Sequence, residues 1–279
     1  MDKTVHKLIR IMNMRFFALP VIAFLYCLML FFLHVDQLFI FISLFVLAGA
    51  SGIAVYYDCG YRIRNRLAYL ATEAMDAELL KEEASHAYPR SGGSWKTQYG
   101  RLYYETIYYN LLGDHEKALE AWKALPTPNE LLRNSKECGL MQRLIRVGRV
   151  DEATLHLENA QRIMKSDKRL ESGCLRVLGS YYAAKGDGEA GGEYLSQAYA
   201  RAKYRSEKIS ILYDLGVLAE KLGNQNEAID YYCQAAGLGP QAWLGQEAAR
   251  RAEALQHVQQ NLAEEKAPQD DIGGVVLPA

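Results

Sequence analysis

From Phe16 to Tyr57 the chain runs for 42 residues with Asp36 as its only Asp, Glu, Lys or Arg. Phe16–Leu33, FFALPVIAFLYCLMLFFL, spans about 27 Å as a helix, close to the thickness of a hydrocarbon core. Leu38–Tyr57, LFIFISLFVLAGASGIAVYY, is long enough by the same arithmetic. A single helix through both runs would be about twice the bilayer thickness with Asp36 near its centre, where a charge costs roughly 2.5–3.5 kcal/mol. Two spans, at about 16–33 and 38–57, are therefore expected, with His34-Val35-Asp36-Gln37 as the turn. Pro20 falls in the first turn or so of the first span, where a missing N–H matters least.

The basic flanks set the orientation. Lys3, Lys7, Arg10 and Arg15 precede the first span, Arg62, Arg64 and Arg66 follow the second, and the connecting loop has no Lys or Arg. The positive-inside rule places both termini in the cytoplasm and the turn outside. The competing reading is a cleaved signal peptide. Against it stand a run longer than the usual ~7–15 apolar residues, no small-x-small site after Leu33, and a second span that follows at once.

Elsewhere the chain is ordinary in composition. Lys and Arg number 32 against 33 Asp and Glu, half the residues are apolar and 23% are charged. That excludes a disordered chain, a basic nucleic-acid-coating protein and a small disulfide scaffold. Cys27, Cys59, Cys138, Cys174 and Cys233 are scattered without a C-x-x-C, which suits a reducing cytosol. Cys59 is juxtamembrane, either an inert interfacial thiol or a palmitoylation site.

Beyond residue 98 a repeat emerges. Gly113, Gly148, Gly186 and Gly223 are separated by 35, 38 and 37 residues. Five residues after each stands a small residue (Ala118, Ala153, Gly191, Ala228) and nine after a large one (Trp122, Leu157, Leu195, Tyr232). Twelve after come Leu125, Ala160, Ala198 and Ala235. Offsets four and three apart mark one helical face, and a helical run such as Leu212-Leu215-Gly216-Ala219 precedes each glycine. The unit is helix–turn–helix, with glycine closing the first helix.

With Leu215-Gly216, Ala219, Gly223, Ala228, Tyr232, Ala235 and Pro240 in its fourth unit, the chain resembles the tetratricopeptide repeat (TPR) family. The third unit matches at Leu178, Gly179, Tyr182, Gly186, Gly191, Leu195 and Ala198; its Gly191 and Gly192 weaken a helix by roughly 1 kcal/mol each relative to Ala. The first two units depart from the pattern, with Thr106 and Met141 where the family has a helix A glycine. The resemblance covers about residues 98–240. It implies a concave groove lined by helix A side chains: Tyr103, Ile107 and Asn110 from the first unit, Gln142 and Arg146 from the second, Arg176 and Ser180 from the third, and Tyr213 and Val217 from the fourth. The family's peptide-carboxylate clamp has only Asn110, Arg146 and Arg176 as counterparts.

The remaining segments follow from local signals. Residues 61–97 form an amphipathic juxtamembrane helix over Gly60–Ala87, continuing from the second span or breaking near Gly60, and then a linker, His86 to Thr97, with Pro89 and Ser91-Gly92-Gly93-Ser94. Thr127-Pro128-Asn129-Glu130 reads as a capping box with Pro at the first helical position. Residues 241–266 make a terminal helix with a wet outer side, and 267–279 a disordered tail.

Candidate chemistry is sparse. Residues 186–191, Gly-Asp-Gly-Glu-Ala-Gly, match G-x-G-x-x-G literally, but the motif carries meaning only between a strand and a phosphate-binding helix. The six histidines have no metal-ligand spacing, and no nucleophilic triad is suggested. Ten of nineteen tyrosines lie between Tyr56 and Tyr109; positions 99/103 and 104/108 share helical faces, as core packing or as a Tyr-rich binding groove.

The sequence thus predicts an all-α protein: a two-helix transmembrane hairpin (1–60), then an α-solenoid of four TPR-like repeats (98–240) and a capping helix. It predicts a multi-pass protein of the plasma (inner) membrane and a cytoplasmic protein-interaction scaffold with a protein or peptide in the groove. No catalysis, cofactor, metal, nucleic acid or small-molecule substrate is expected. The alternative is an integral subunit of a transport, secretion or polysaccharide-export machine, with Ala48, Gly49 and Gly52 as a packing face.

Overall fold

The structure, a computed structural model, describes residues 37–91 and 93–266, together with residues 21, 25, 26, 28 and 29. The first predicted span, apart from those five helical positions, and the tail from residue 267 fall outside the described residues. Every described regular element is a helix.

α1 (Gln37–Tyr69) carries the second apolar run without a break and continues through Gly60. Among the described residues no helix is long and apolar enough to cross a membrane; at the side-chain level much of the first half of α1 lies outside those residues. The single amphipathic helix expected over Gly60–Ala87 is instead interrupted. A π turn at Leu70–Ala74 is followed by Met75 in the left-handed region, and then by α2 (Ala77–Ala87). Asp76 is the reason for the new start: its carboxylate accepts from the Leu79 N–H at 2.9 Å, an N-cap that competes with helix continuation. The reversal packs Leu67, Leu70 and Ala71 of the first arm against Leu80 and Ala84 of the second, all buried.

Four helix pairs follow. They are α3 (Trp95–Leu112) with α4 (His115–Lys123), α5 (Glu130–Arg146) with α6 (Val150–Thr154) and α7 (Leu157–Ser166), α8 (Glu171–Lys185) with α9 (Gly188–Arg201), and α10 (Arg205–Lys221) with α11 (Gln225–Leu238). α12 (Trp243–Lys266) ends the described chain. Gly113, Gly148, Gly186 and Gly223 close the first helix of each pair with φ of 79°, 80°, 79° and 79°, and among the described residues they alone are glycines at positive φ. In each case the next residue's N–H returns to the first helix: Asp114 to Tyr109 O, Arg149 to Leu144 O, Asp187 to Tyr182 O and Asn224 to Ala219 O. This is the six-to-one bond that satisfies a helix's orphan carbonyls.

The small–large–small face is the buried one. Ala118, Ala153, Gly191 and Ala228 are buried, as are Leu125, Ala160, Ala198 and Ala235. Of the large residues Trp122, Leu195 and Tyr232 are buried. Tyr232 lies over Gly216, where a Cβ would meet its ring at 2.5 Å, and Leu195 over Gly179, where a Cβ would meet it at 2.7 Å. The glycine of helix A leaves the room that the large residue of helix B fills.

The second pair departs from the pattern. Its second helix is split at Leu155–His156, Leu155 is 80% exposed, and Leu157 is only half-buried. Arg149 offers no side-chain cap where Asp114 and Asp187 do. Pro128 also sits outside its predicted place: Asn129 is the cap, accepting from Leu132 N at 2.9 Å, and α5 begins at Glu130.

The linker around residue 92 separates no domains. Tyr88 stacks on Tyr104 at 5.8 Å, and Lys81 reaches the Tyr108 hydroxyl at 3.1 Å, so α2 lies on α3. The array then bends back on itself. The Arg205 N–H donates to Glu73 Oε1 at 3.2 Å, Gln241 Nε2 to the Ala74 carbonyl at 2.8 Å, and Met75 joins Ile209 and Ala242 in one core. Trp243 covers Gly113 and meets the His115 ring edge-on at 4.6 Å. The start and the end of the array are in contact.

Candidate functional site

The first helices of the pairs, α3, α5, α8 and α10, face inward, and with the π turn and the start of α12 they line an open cavity of about 440 Å³. Ligand pockets commonly measure about 300–1,000 Å³. Six of the nine predicted groove residues line it: Tyr103, Ile107, Asn110, Gln142, Arg146 and Arg176. The other three are placed elsewhere. Ser180 is 2% exposed and is bonded to Asp214 Oδ2 at 2.5 Å. Tyr213 is buried against Tyr232, with the Arg146 and Arg251 guanidiniums over its ring. Val217 packs on the core of the fourth pair. These three side chains meet neighbouring helices and are spent on packing.

Arg146 and Asp214 form the floor. Arg146 donates to Asp214 through both Nη atoms, at 2.8 and 3.0 Å, and also to Ser210 Oγ at 2.9 Å. With Asp214 only 4% exposed, the paired geometry and the Ser180 bond are what make its burial tolerable. Glu207, the carboxylate of the lining, accepts the Lys203 and Tyr204 backbone N–H groups at 3.0 and 3.3 Å. Both acids are committed.

Arg143 and Arg176 have no such partner. Arg143 Nη1 donates to the Gly139 carbonyl at 2.8 Å, and its guanidinium lies 3.7 Å from the centre of the Trp122 ring. The Nε atoms of Arg143 and Arg176 are buried without hydrogen bonds, as is His115 Nε2. Burial, with Arg176 nearby, pulls Arg143 down to about 9, and burial lowers Arg176 as well. A guanidinium is not deprotonated at neutral pH, so both are charged. Burial also brings His115 down to about 4, helped by Arg146 and opposed by Asp114, so its imidazole is neutral there. Tyr103 is pushed up, by burial first.

Sequence reasoning missed Arg143, although Gly139, Gln142, Arg143 and Arg146 share one face of α5 at helical spacing. It also missed His115, Trp122 and Tyr204, which no local pattern places together. The two tyrosine stripes divide. Tyr104 and Tyr108 pack on α2, whereas Tyr103 stacks with Tyr99 at 6.0 Å and faces the cavity. Two of the scattered cysteines come together as well: the buried thiols of Cys138 and Cys174 are 3.0 Å apart, while Cys233 is exposed. The G-x-G-x-x-G segment spans a helix–helix turn, with Gly186 as the cap of α8 and Gly188 opening α9. Among the described residues no group of three His, Cys, Asp or Glu side chains could hold a metal ion.

No family model matches the chain, and no curated protein or solved structure shows significant similarity to it.

Proposed function

We propose that the chain is a membrane-anchored, TPR-like α-solenoid that recruits a protein or peptide partner on the cytoplasmic side and carries out no reaction of its own. The observation behind this is the fourfold recurrence of a glycine-closed helix pair in one register, in a chain whose α1 carries the second apolar run. Stacked pairs present extended surfaces suited to binding rather than chemistry, and tethering raises local concentration without a new contact. The bilayer would cover apolar side chains such as Val46, Ile53 and Leu25, which are 63%, 60% and 60% exposed. Because the two ends of the array touch, a partner would enter the groove as a side chain or chain end, not as an extended segment lying through it.

The test has two parts. The protein should resist alkaline carbonate extraction and keep its N-terminus; a soluble form starting near residue 34 would remove the hairpin. Crosslinking and affinity purification from native membranes should recover a partner that Tyr103→Ala plus Arg176→Ala loses, and retention of every partner would exclude the groove.

The machine-subunit reading has one observation in its favour. α1 runs unbroken to Tyr69 and buries Leu67 in the core it shares with α2, so the span is coupled rigidly to the helical array. Gly49 is open, with nothing within 4 Å of a Cβ built there, as a helix-packing face requires. Exchange of residues 1–57 for an unrelated two-span hairpin separates the readings: retained activity favours an anchor, and loss with normal localisation favours an intramembrane role.

A further inference from the structure

The cavity brings together three guanidiniums, Arg143, Arg146 and Arg176, against one carboxylate of its lining, Glu207, and the Asp214 that pairs with Arg146. Glu207 accepts two backbone N–H groups, and its charge also acts on Arg176. Arg143 and Arg176 line the same cavity from α5 and α8, each with a buried Nε that has no hydrogen bond. Neither makes an ion pair among the described residues. Both side chains are partly buried; a guanidinium there without a matching charge is costly, and a side chain of similar length without charge would pack the same space more cheaply. Two such groups on one cavity wall therefore point to an external counter-charge.

The chemistry of that counter-charge follows from the donors. A guanidinium is a planar fork that binds oxyanions through paired N–H groups, and it is the preferred partner for phosphate. Two forks on one wall suit a group that offers several acceptor oxygens at once. A phosphate monoester carries about −1.5 to −2 at neutral pH, with three acceptor oxygens; a carboxylate carries a single charge. Tyr103, Ile107, Trp122 and Leu244 give the wall an apolar and aromatic part, beside polar Ser135, Gln142 and Ser206.

We propose that this cavity binds a small phosphate monoester, its phosphoryl group held between Arg143 and Arg176 and its body against Tyr103 and Ile107. The site goes beyond the scaffold reading and does not depend on a protein partner existing. A soluble phosphate ester and a phosphatidic acid headgroup share the required chemistry, and the experiment distinguishes them.

The probe is inorganic phosphate, added to the full-length protein against chloride of equal ionic strength. Phenylglyoxal labelling mapped by mass spectrometry should show Arg143 and Arg176 modified more slowly in phosphate, about tenfold at ten times the dissociation constant, with exposed Arg162 unchanged. Phosphate should also raise the melting temperature in a saturable way. Arg176→Met should abolish that rise and melt no lower than the wild type without phosphate, because an unmatched charge has been removed. Protection by glycerol 3-phosphate in solution supports a soluble ligand, whereas protection only by phosphatidic acid nanodiscs, and not by phosphatidylcholine ones, supports a headgroup. Equal labelling with and without phosphate, equal protection by acetate, or a phosphate response that survives in Arg143→Met plus Arg176→Met would each overturn the proposal. The labelling uses wild-type protein, so it decides the matter even if a variant fails to fold.

Discussion

Two side chains of the cavity make opposite demands on water. His115 is held neutral by burial beside Trp243 and by the charge of Arg146, at about 4 against the ~6.5 of an unfolded histidine. The unfolded chain therefore takes up a proton near pH 6.5 that the folded chain refuses until near pH 4, so stability falls as pH drops through that window. The loss amounts to at most roughly 3 kcal/mol. Melting temperature measured from pH 7 to pH 4 should show this fall, and His115→Gln should flatten it; an unchanged slope in the variant would place the titration elsewhere. Asp214 is the reverse case, a charge kept buried by its partners. Asp214→Ala strands Arg146 and should cost about 3 kcal/mol in denaturant unfolding, with Asp214→Asn intermediate because it keeps the shape. Cysteine reactivity provides an independent check on burial: maleimide should label Cys233 in the native protein, and Cys138 and Cys174 only after unfolding.

Among the helices, the turns carry the repeat. All four turn glycines have nearly the same positive φ, yet their surroundings differ. Nothing lies within 4 Å of a Cβ at Gly223, whereas one at Gly113 would run into the Trp243 ring. Gly223→Ala should therefore lower stability by about 1–2 kcal/mol, the left-handed penalty alone, and Gly113→Ala by clearly more. Equal losses in urea unfolding would mean that Trp243 does not press on the first turn. These turns were legible in the sequence because a left-handed cap and an i, i+4 face depend only on neighbours along the chain. The split of the second pair's outer helix at Leu155–His156 was not, since Val150–Ser166 keeps its small residues in register through Ala153 and Ala160. The helix break at Met75 was equally hidden: the apolar spacing of Leu67, Leu70, Ala74, Ala77 and Leu80 continues straight across it.

At the level of the assembled array, closure is the property that individual pairs lack. Trp243 against His115, Gln241 against Ala74 and Arg205 against Glu73 join the end of the chain to its beginning. Trp243→Ala should loosen this junction, lowering the melting temperature and letting His115 titrate nearer its ordinary value, a shift visible in its imidazole proton resonances. A groove open at both ends would leave both unchanged.

The sequence by itself determined the helical class, the four turns, and which face of each outer helix is buried, because helix periodicity, glycine at positive φ and burial of a small–large–small face are short-range demands. Six of the nine groove positions it marked do line the cavity, since a side chain's direction on a helix follows from its position. Only the tertiary structure decided that the ends meet, that Arg146 pairs with Asp214 while Arg143 and Arg176 pair with nothing, and that Cys138 lies beside Cys174. Those outcomes depend on the angles at which successive pairs pack. Such angles are set by many side-chain contacts at once, so no local pattern in the chain records them.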